Sequence, residues 1–172
     1  MKLLGAILCG GRSLRFGSDK ALALVDGMTL IDHVRRCLAP QVDGLLYCGR
    51  EIAEEPCVPD RPRPDLGPLG GINAALHYAA AQGYDAVISV PCDTPALPDD
   101  LVARLTGPLP AYLERMPVIG FWPATLASLL DRHIEEDTRR SMKEWARHVR
   151  AQAVTLDADI RNVNRPEDLL KP

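Results

Sequence analysis

The chain has 172 residues, of which 47% are hydrophobic and 25% are charged, and these proportions exclude a disordered protein. Its formal net charge of −3 argues against nucleic acid or an anionic membrane as the main partner. We expect residues 1–172 to form one domain, whose core is large enough to need neither a structural metal nor disulfides.

The cysteines indicate a reducing compartment. They are odd in number and include no C-x-x-C pair and no cysteine–histidine zinc spacing: Cys9, Cys37, Cys48, Cys57 and Cys92. Because disulfides persist mainly in oxidising compartments, we predict a cytoplasmic protein without a disulfide framework.

The first predicted element is a buried strand from Lys2 to Leu8, because its apolar run does not alternate with polar residues. The run could be mistaken for a lipoprotein signal ending at Cys9. However, Leu8 stands where signal processing requires a small residue, and the run is too short to span a membrane. A glycine-rich loop follows, from Cys9 to Lys20.

Strands and helices alternate along the rest of the chain, which predicts an α/β fold with a parallel sheet. The predicted elements are a helix from Thr29 to about Pro40, strands at 44–49 and 56–60, a helix from Pro68 to Gln82 that Gly83 ends, a strand at 84–90, a helix from Pro98, a strand at 117–122, helices at 123–136 and 141–151, a strand at 153–156 and a short closing helix. Prolines make residues 60–67 a loop. The segment after Gly107 shows no clear pattern before Pro117.

Ligands of such sheets bind at the carboxyl ends of the strands, where three candidate sites lie. The first is the loop after the first strand, in which Gly10 and Gly11 let backbone N–H groups approach a ligand. Its three cations can neutralise much of a triphosphate, and they are Arg12, Arg15 and Lys20. The loop fits neither the P-loop nor the Rossmann pattern. A flexible turn with solvated charges is the alternative, but cations directly after a buried strand disfavour it.

The second candidate site is Asp93, in the run P-C-D-T-P at 91–95. A carboxylate that follows an apolar strand, between two prolines that fix its backbone, is well placed to hold Mg²⁺ on a phosphate. Alternatively, Asp93 caps the next helix, although the sequence favours a helix start at Pro98. We interpret Cys92 as a buried core residue rather than a nucleophile, because no base is evident beside it.

The third candidate site runs from Asp60 to Gly71, where glycines and a proline open a helix. A sugar hydroxyl or a base could rest on this loop. A plain helix entry explains the same residues about as well, so this signal decides nothing alone.

Together the sites resemble a known family. Residues 8–20 are similar to the L-A-G-G-x-x-x-R-M-G-x-D-K signature of the molybdenum cofactor guanylyltransferases, and the runs at 65–71, 91–95 and 162–169 match later motifs of that family in order. The resemblance spans nearly the whole chain. Its glycine pair favours GTP, since relatives that use CTP resemble L-A-A-G there. The resemblance implies a three-layer α/β/α Rossmann-like fold with a mostly parallel central sheet, as in the nucleotide-diphospho-sugar transferases.

The resemblance also implies roles for individual residues. It implies nucleotide contacts for Leu8, Cys9, Gly10, Lys20 and Asp60, and it implies Mg²⁺ binding by Asp93, with Mg²⁺ as the one expected cofactor. It places Asn162 and Asn164 near the pterin acceptor. We further expect nucleotide contacts from Gly11, Cys48 and Asp93, and catalytic roles for Lys20, Arg15 and Asp93.

The sequence departs from the family pattern at several positions. Cys9 replaces an alanine and Phe16 a methionine, and Cys48 stands where the family tends to place an asparagine near the nucleotide, which removes one polar contact. The stretch 105–117 is short. It reads E-R-M-P at 114–117, where the family tends to carry R-x-[HQ]-P in a segment that faces the acceptor.

We therefore predict an enzyme, a nucleotidyltransferase that moves GMP from GTP to the phosphate of molybdenum-bound molybdopterin and releases pyrophosphate. GTP and molybdopterin are the expected partners, with a molybdoenzyme or chaperone as a further one, and with neither nucleic acid nor a membrane. One alternative is a transferase of the same superfamily that uses CTP or a sugar phosphate. Another is a non-catalytic nucleotide-binding module that docks to a molybdoenzyme or chaperone, which the presence of both Lys20 and Asp93 disfavours.

Overall fold

The structure is a computed structural model, and it describes residues 1–10, 22–136, 141–157, 160 and 162–163. Its strands are β1 (Leu3–Leu8), β2 (Leu24–Val25), β3 (Met28–Thr29), β4 (Gly44–Cys48), β5 (Cys57–Val58), β6 (Ala86–Pro91), β7 (Ala111–Leu113), β8 (Met116–Pro123) and β9 (Gln152–Val154). Its α-helices are α1 (Leu30–Leu38), α2 (Pro68–Gln82), α3 (Leu101–Leu105), α4 (Ala127–Glu136) and α5 (Met142–His148), with 3₁₀ turns at Ala39–Gln41 and Ala124–Leu126.

The central sheet confirms the predicted α/β fold. In the described residues it has seven strands in the order β5-β4-β1-β6-β8-β7-β9. β5, β4, β1 and β6 are parallel, β8 is antiparallel to both β6 and β7, and β9 is parallel to β7. The sheet is therefore mostly parallel, and its parallel strands end at one common edge.

Strand β1 lies between β4 and β6, and all six of its residues are buried. Its side chains alternate between two cores, because successive strand residues point to opposite faces. Leu4 and Leu8 pack with α2, α4 and α5 on one face, whereas Leu3 and Ile7 pack with α1 and α3 on the other. The unbroken apolar run of the sequence follows from this double coverage.

Helix α2 has the predicted bounds, Pro68 to Gln82. Pro68 suits the first helical position because it needs no N–H donor there. Gly67 before it has φ 63° and ψ −154°, a conformation essentially restricted to glycine, and Gly83 ends the helix in the left-handed region at φ 71°.

Several predicted elements have other bounds in the structure; the helix predicted at 141–151, for example, ends at His148. The strand predicted at 56–60 is only Cys57–Val58. The helix predicted from Pro98 begins at Leu101, because residues 98–100 form a turn in which the Leu101 N–H donates to the Pro98 carbonyl at 3.1 Å. The short closing helix falls outside the described residues.

Two hairpins escaped the sequence analysis. β2 and β3 are joined by Asp26 and Gly27, whose φ values of 50° and 79° suit a tight hairpin turn. An Asp-Gly pair between apolar residues is a known signal for such a turn. β7 and β8 are joined by Glu114 and Arg115, within the segment that showed no pattern. No helix in the described parts of the chain has the length and apolar character needed to cross a bilayer.

Candidate active site

The candidate site lies where β1, β4, β5 and β6 end. Backbone hydrogen bonds join the chain just beyond the strands: the Cys9 N–H donates to the Cys48 carbonyl at 2.8 Å, and the Cys92 N–H donates to the Leu8 carbonyl at 3.1 Å. The sheet thus brings together segments that are 39 and 84 residues apart in the sequence.

Asp60 follows β5, and its carboxyl group is surrounded by four glycines, which we call the glycine cradle. A Cβ atom built on Gly10, Gly49 or Gly71 would lie 3.4, 3.3 or 3.6 Å from Asp60 Oδ1. A Cβ on Gly70 would lie 3.1 Å from Asp60 Cγ. These glycines belong to the ends of β1 and β4 and to the first turn of α2. Main chain therefore approaches the carboxylate from three elements.

Gly49 is the cradle residue that the sequence analysis missed. Its φ is +81°, and a Cβ there would stand 2.7 Å from the Gly10 Cα and 2.8 Å from the Gly10 nitrogen. Both the backbone conformation and the close approach of two chain segments require glycine. The available signal was a glycine directly after a buried strand, where chains often approach closely.

The protein does little to stabilise the negative charge of the Asp60 carboxyl group. Burial, and then the nearby charge of Asp65, raise its pKa above the ordinary value. No residue in the described part of the chain donates a hydrogen bond to this carboxylate. Its acceptor capacity is therefore available to a ligand.

Asp93 lies in the turn after β6, which several contacts fix. Thr94 Oγ1 donates to the Pro91 carbonyl at 2.9 Å, and the Val163 N–H donates to the Asp93 carbonyl at 2.9 Å. With its amide oriented so that the NH₂ group faces Asp93, Asn162 donates to Asp93 Oδ2 at 2.8 Å and also to Oδ1. The structure thus brings Asn162, predicted near the acceptor, against the predicted metal ligand. Asp93 does not cap α3, which starts eight residues later at Leu101.

The donor set at Asp93 fits a magnesium ion bound together with a nucleotide. The described residues contain no group of three or more His, Cys, Asp or Glu side chains that could hold a metal. Mg²⁺ is commonly held by one or two carboxylates together with substrate phosphates and water, rather than by a full protein cage. A single carboxylate at a strand end therefore suits this metal.

Two cysteine thiols lie near this edge of the sheet. A hydrogen bond with Cys92, followed by burial, raises the pKa of the Cys9 thiol above its usual value. Burial likewise raises the pKa of Cys48, which is fully buried on the α2 side of the sheet. The raised pKa values keep both thiols protonated near neutral pH and make them poor nucleophiles.

The turn between β7 and β8 lies at the same edge, because β8 runs antiparallel to β6 and starts beside its carboxyl end. The Glu114 N–H donates to the Val154 carbonyl at 3.0 Å, and Thr155 Oγ1 donates to Glu114 Oε2 at 3.1 Å. The E-R-M-P run therefore begins in a turn that is held against the end of β9.

The described residues cover only part of the predicted site. Seven of the predicted residues lie in the described ranges, at this edge of the sheet: Leu8, Cys9, Gly10, Cys48, Asp60, Asp93 and Asn162. Five residues singled out in the sequence lie outside the described ranges: Gly11, Arg12, Arg15, Lys20 and Asn164. The roles of individual residues remain predictions.

Comparisons with known proteins bear on this arrangement. Residues 5–154 match the model of the MobA-like NTP transferase domain. The chain is 36% identical to a molybdenum cofactor guanylyltransferase of Rhizobium leguminosarum bv. trifolii, over 98% of this chain and 90% of that protein. It is 35% identical to the protein of the same name from Rhodobacter capsulatus, over 99% of this chain and 95% of that protein.

Solved structures show the same fold. Molybdopterin-guanine dinucleotide biosynthesis protein A from Archaeoglobus fulgidus superposes with a TM-score of 0.78 at 19% identity, over 97% of this chain and 95% of that one. A CMP:2-keto-3-deoxy-manno-octonic acid synthetase complexed with CTP gives a TM-score of 0.70 at 14% identity, over 99% and 96% of the two chains. At these identities the likeness concerns the fold alone.

Proposed function

The chain belongs to the MobA-like NTP transferase family, and on that basis we propose that it transfers GMP from GTP to the phosphate of molybdenum-bound molybdopterin. The reaction releases pyrophosphate and forms the molybdopterin guanine dinucleotide cofactor. It makes the protein a nucleotidyltransferase of molybdenum cofactor biosynthesis.

The main support for this proposal is that two carboxylates flank the end of β1. Asp60 lies in its glycine cradle on one side, and Asp93 lies at the end of β6 on the other. The Asp60 carboxylate reaches the main chain at Gly10, just beyond β1, and β6 pairs directly with β1 on the side of Asp93. This arrangement suits one nucleotide with its nucleoside at Asp60 and its phosphates at Asp93.

We assign the nucleoside to the glycine cradle. Asp60 offers acceptor oxygens, and guanine differs from adenine in presenting N1–H and an N2 amino group as donors. The Cys9 N–H is already donated within the sheet, and Leu8 is buried against α2, so their contacts to the nucleotide would come from the main chain next to Gly10. Cys48 is fully buried, and its proposed nucleotide contact would likewise run through the backbone.

We assign the phosphates to the glycine-rich loop and Asp93. Proteins of this family typically use a divalent metal ion, and Mg²⁺ held by Asp93 would bind phosphate oxygens and offset their negative charge. Lys20 and Arg15 would stabilise the departing pyrophosphate, while Gly11 lets the loop backbone approach the nucleotide.

The acceptor phosphate supplies the nucleophile. One of its oxygens forms a bond to the α-phosphorus of GTP while the bond to the pyrophosphate oxygen breaks. A phosphate is already ionised at neutral pH, so no general base is needed, and the protein contributes positioning and charge stabilisation. Asn162, Asn164 and the turn at 114–115 would face this acceptor.

The proposal includes the domain organisation, the cellular compartment and the recipient of the product. The sheet takes strands from both ends of the described chain, which supports a single domain over residues 1–172. The cysteines fit a cytoplasmic protein, and a molybdoenzyme or its chaperone is the expected recipient of the product.

The test is pyrophosphate release by the purified protein with GTP, Mg²⁺ and molybdenum-loaded molybdopterin. GTP is expected to support turnover, and CTP or ATP in its place is expected to give at least ~10-fold less, because unpaired polar groups penalise the wrong base. Lys20→Ala should raise the KM for GTP and lower kcat, whereas the exposed Lys143→Ala on α5 serves as a matched control. Tight GTP binding without pyrophosphate release would favour the non-catalytic module, and preference for CTP would overturn the assignment of the base.

A further inference from the structure

Asp131 on α4 joins three parts of the fold, and none of the predicted catalytic roles accounts for it. Its carboxylate accepts hydrogen bonds from Asn73 Nδ2 at 2.8 Å and His77 Nε2 at 2.8 Å, both on α2. It also accepts two from the guanidinium of Arg61, with Nε at 3.2 Å from Oδ1 and the second nitrogen at 3.4 Å from Oδ2. The donors lie 54 to 70 residues before Asp131 in the sequence.

Arg61 is the residue directly after Asp60, and it is held at three points. Its N–H donates to the Gly70 carbonyl at 3.1 Å, and its carbonyl accepts from Asn73 Nδ2 at 3.4 Å. Its guanidinium is held by Asp131. Both main-chain groups of this residue and its side chain are thus bonded to α2 or α4.

These bonds matter for Asp60 because its own carboxylate has no protein donor in the described part of the chain. Its carboxylate lies among the cradle glycines, and the residue that follows it is the one held by these bonds. Asn73 is fully buried and donates to both Arg61 and Asp131, so the network extends from the surface to the core. Arg61, His77 and Asp131 are partly exposed, and the buried Asn73 Oδ1 accepts no hydrogen bond from the described residues, so Asn73 anchors the network in the core through its NH₂ group alone.

We propose that Asp131 is a positioning residue for nucleotide binding: by holding Arg61 against α2 and α4, it keeps the Asp60 carboxylate in the glycine cradle, where it accepts hydrogen bonds from the nucleoside. The inference rests on the proposed function. It adds that α4, a helix that bears none of the predicted site residues, controls affinity for the nucleotide.

Electrostatics agree with this role. Partial burial opposes ionisation of Asp131, but hydrogen bonds from Arg61, Asn73 and His77 outweigh it and hold the pKa below the ordinary value. The carboxylate therefore stays charged throughout the neutral range.

The test compares Asp131→Asn, Asp131→Glu and Arg61→Ala with the matched control Asp100→Asn, which removes the charge of a half-exposed carboxylate paired with Arg104 on α3. GTP binding is measured by calorimetry with Mg²⁺, and kcat and both KM values by pyrophosphate release. Asp131→Asn and Arg61→Ala should each weaken GTP binding about 5- to 10-fold, because a small misplacement of a binding group costs affinity. The acceptor KM should stay within about 2-fold of wild type, Asp131→Glu should recover part of the affinity, and Asp100→Asn should match wild type.

The double variant Arg61→Ala/Asp131→Asn supplies the decisive comparison. Both residues act through one contact, so the double variant should bind GTP as tightly as the single variant with the lower affinity. Independent effects on the affinity would instead multiply. Unchanged GTP affinity in Asp131→Asn with only a lower melting temperature would overturn the inference and leave the proposed function standing. A parallel rise in the acceptor KM would also overturn the inference, because it would show that the substitution loosens the whole site. Failure of the wild-type protein to bind GTP would instead overturn the proposed function, and the inference with it. If Asp131→Asn does not fold, Asp131→Glu and Arg61→Ala decide the question in the same way.

Discussion

Asp60 precedes Arg61 in the sequence and Asp131 binds its guanidinium, and the protein stabilises the charges of these two carboxylates very differently. Asp60 faces a cradle of glycines, receives no hydrogen bond from the described residues, and has a raised pKa. Asp131 accepts hydrogen bonds from three side chains and has a lowered pKa.

This difference distinguishes Asp60, a carboxylate that is available to a ligand, from Asp131, a carboxylate that holds other residues in place. A partly buried carboxylate without donors costs free energy of folding, and such a group persists where a ligand supplies the missing donors. A carboxylate with several donors instead fixes the elements that supply them.

Asp93→Asn should lower turnover at least ~10²-fold, because it removes the carboxylate charge that we assign to Mg²⁺ binding at little steric cost. Asp131→Asn should leave kcat within a few-fold of wild type. Steady-state pyrophosphate release checks both, with circular dichroism to confirm folding and Asp99→Asn, an exposed residue of the following loop, as control. Near-normal turnover of Asp93→Asn at saturating Mg²⁺ would exclude Asp93 as the Mg²⁺ ligand.

Gly49→Ala should destabilise the protein more than Gly27→Ala, although both glycines have φ near +80°. A Cβ on Gly27 would meet nothing within 4 Å, so only the backbone cost of about 1–2 kcal/mol applies. A Cβ on Gly49 would collide with Gly10 and should add about 1–3 kcal/mol. Urea unfolding measures the free energy of unfolding of both variants. Equal losses of this free energy would mean that the cradle is loosely packed.

Asp60→Asn and Asp131→Asn should change stability in opposite directions at pH 7. Removing the Asp60 charge relieves an unfavourable ionised group, so the free energy of unfolding should stay level or rise while GTP affinity falls. Removing the Asp131 charge weakens several hydrogen bonds and should cost about 1 kcal/mol, since the pair with Arg61 is partly exposed. A loss of stability in both variants would contradict the contrast.

The ionisation of the two carboxylates should also change the free energy of unfolding in opposite directions as pH rises. Asp131 has a lowered pKa, so its contribution is complete above the ordinary aspartate pKa of about 3.9 and is lost as pH falls through its folded-state value. Asp60 has a raised pKa, so its ionisation reduces stability as pH rises from about 3.9 through the folded-state value.

The measurement is the difference in unfolding free energy between each variant and wild type from pH 3 to 7. The stability lost in Asp131→Asn relative to wild type should shrink toward acid pH. The stability gained in Asp60→Asn should appear only as pH rises. Flat difference curves would mean that neither carboxylate is linked to folding.

Local sequence determined much of the framework. The bounds of α2 follow from Pro68 and Gly83, which act through their own backbone preferences and need no distant partner. The buried strand β1 follows from an apolar run that only double coverage explains. The ordered motifs were likewise enough to predict the family, which the comparisons confirm.

Tertiary structure alone decided which distant residues meet. The start of α3 depends on the turn at 98–100, and the β7–β8 hairpin pairs short strands whose stability comes from their neighbours in the sheet. Asp131 resembles any other acidic residue on an amphipathic helix, since its partners lie 54 to 70 residues away. Such contacts are set by the packing of α4 on α2, because sequence periodicity specifies which face of a helix is buried but not which residues lie opposite it.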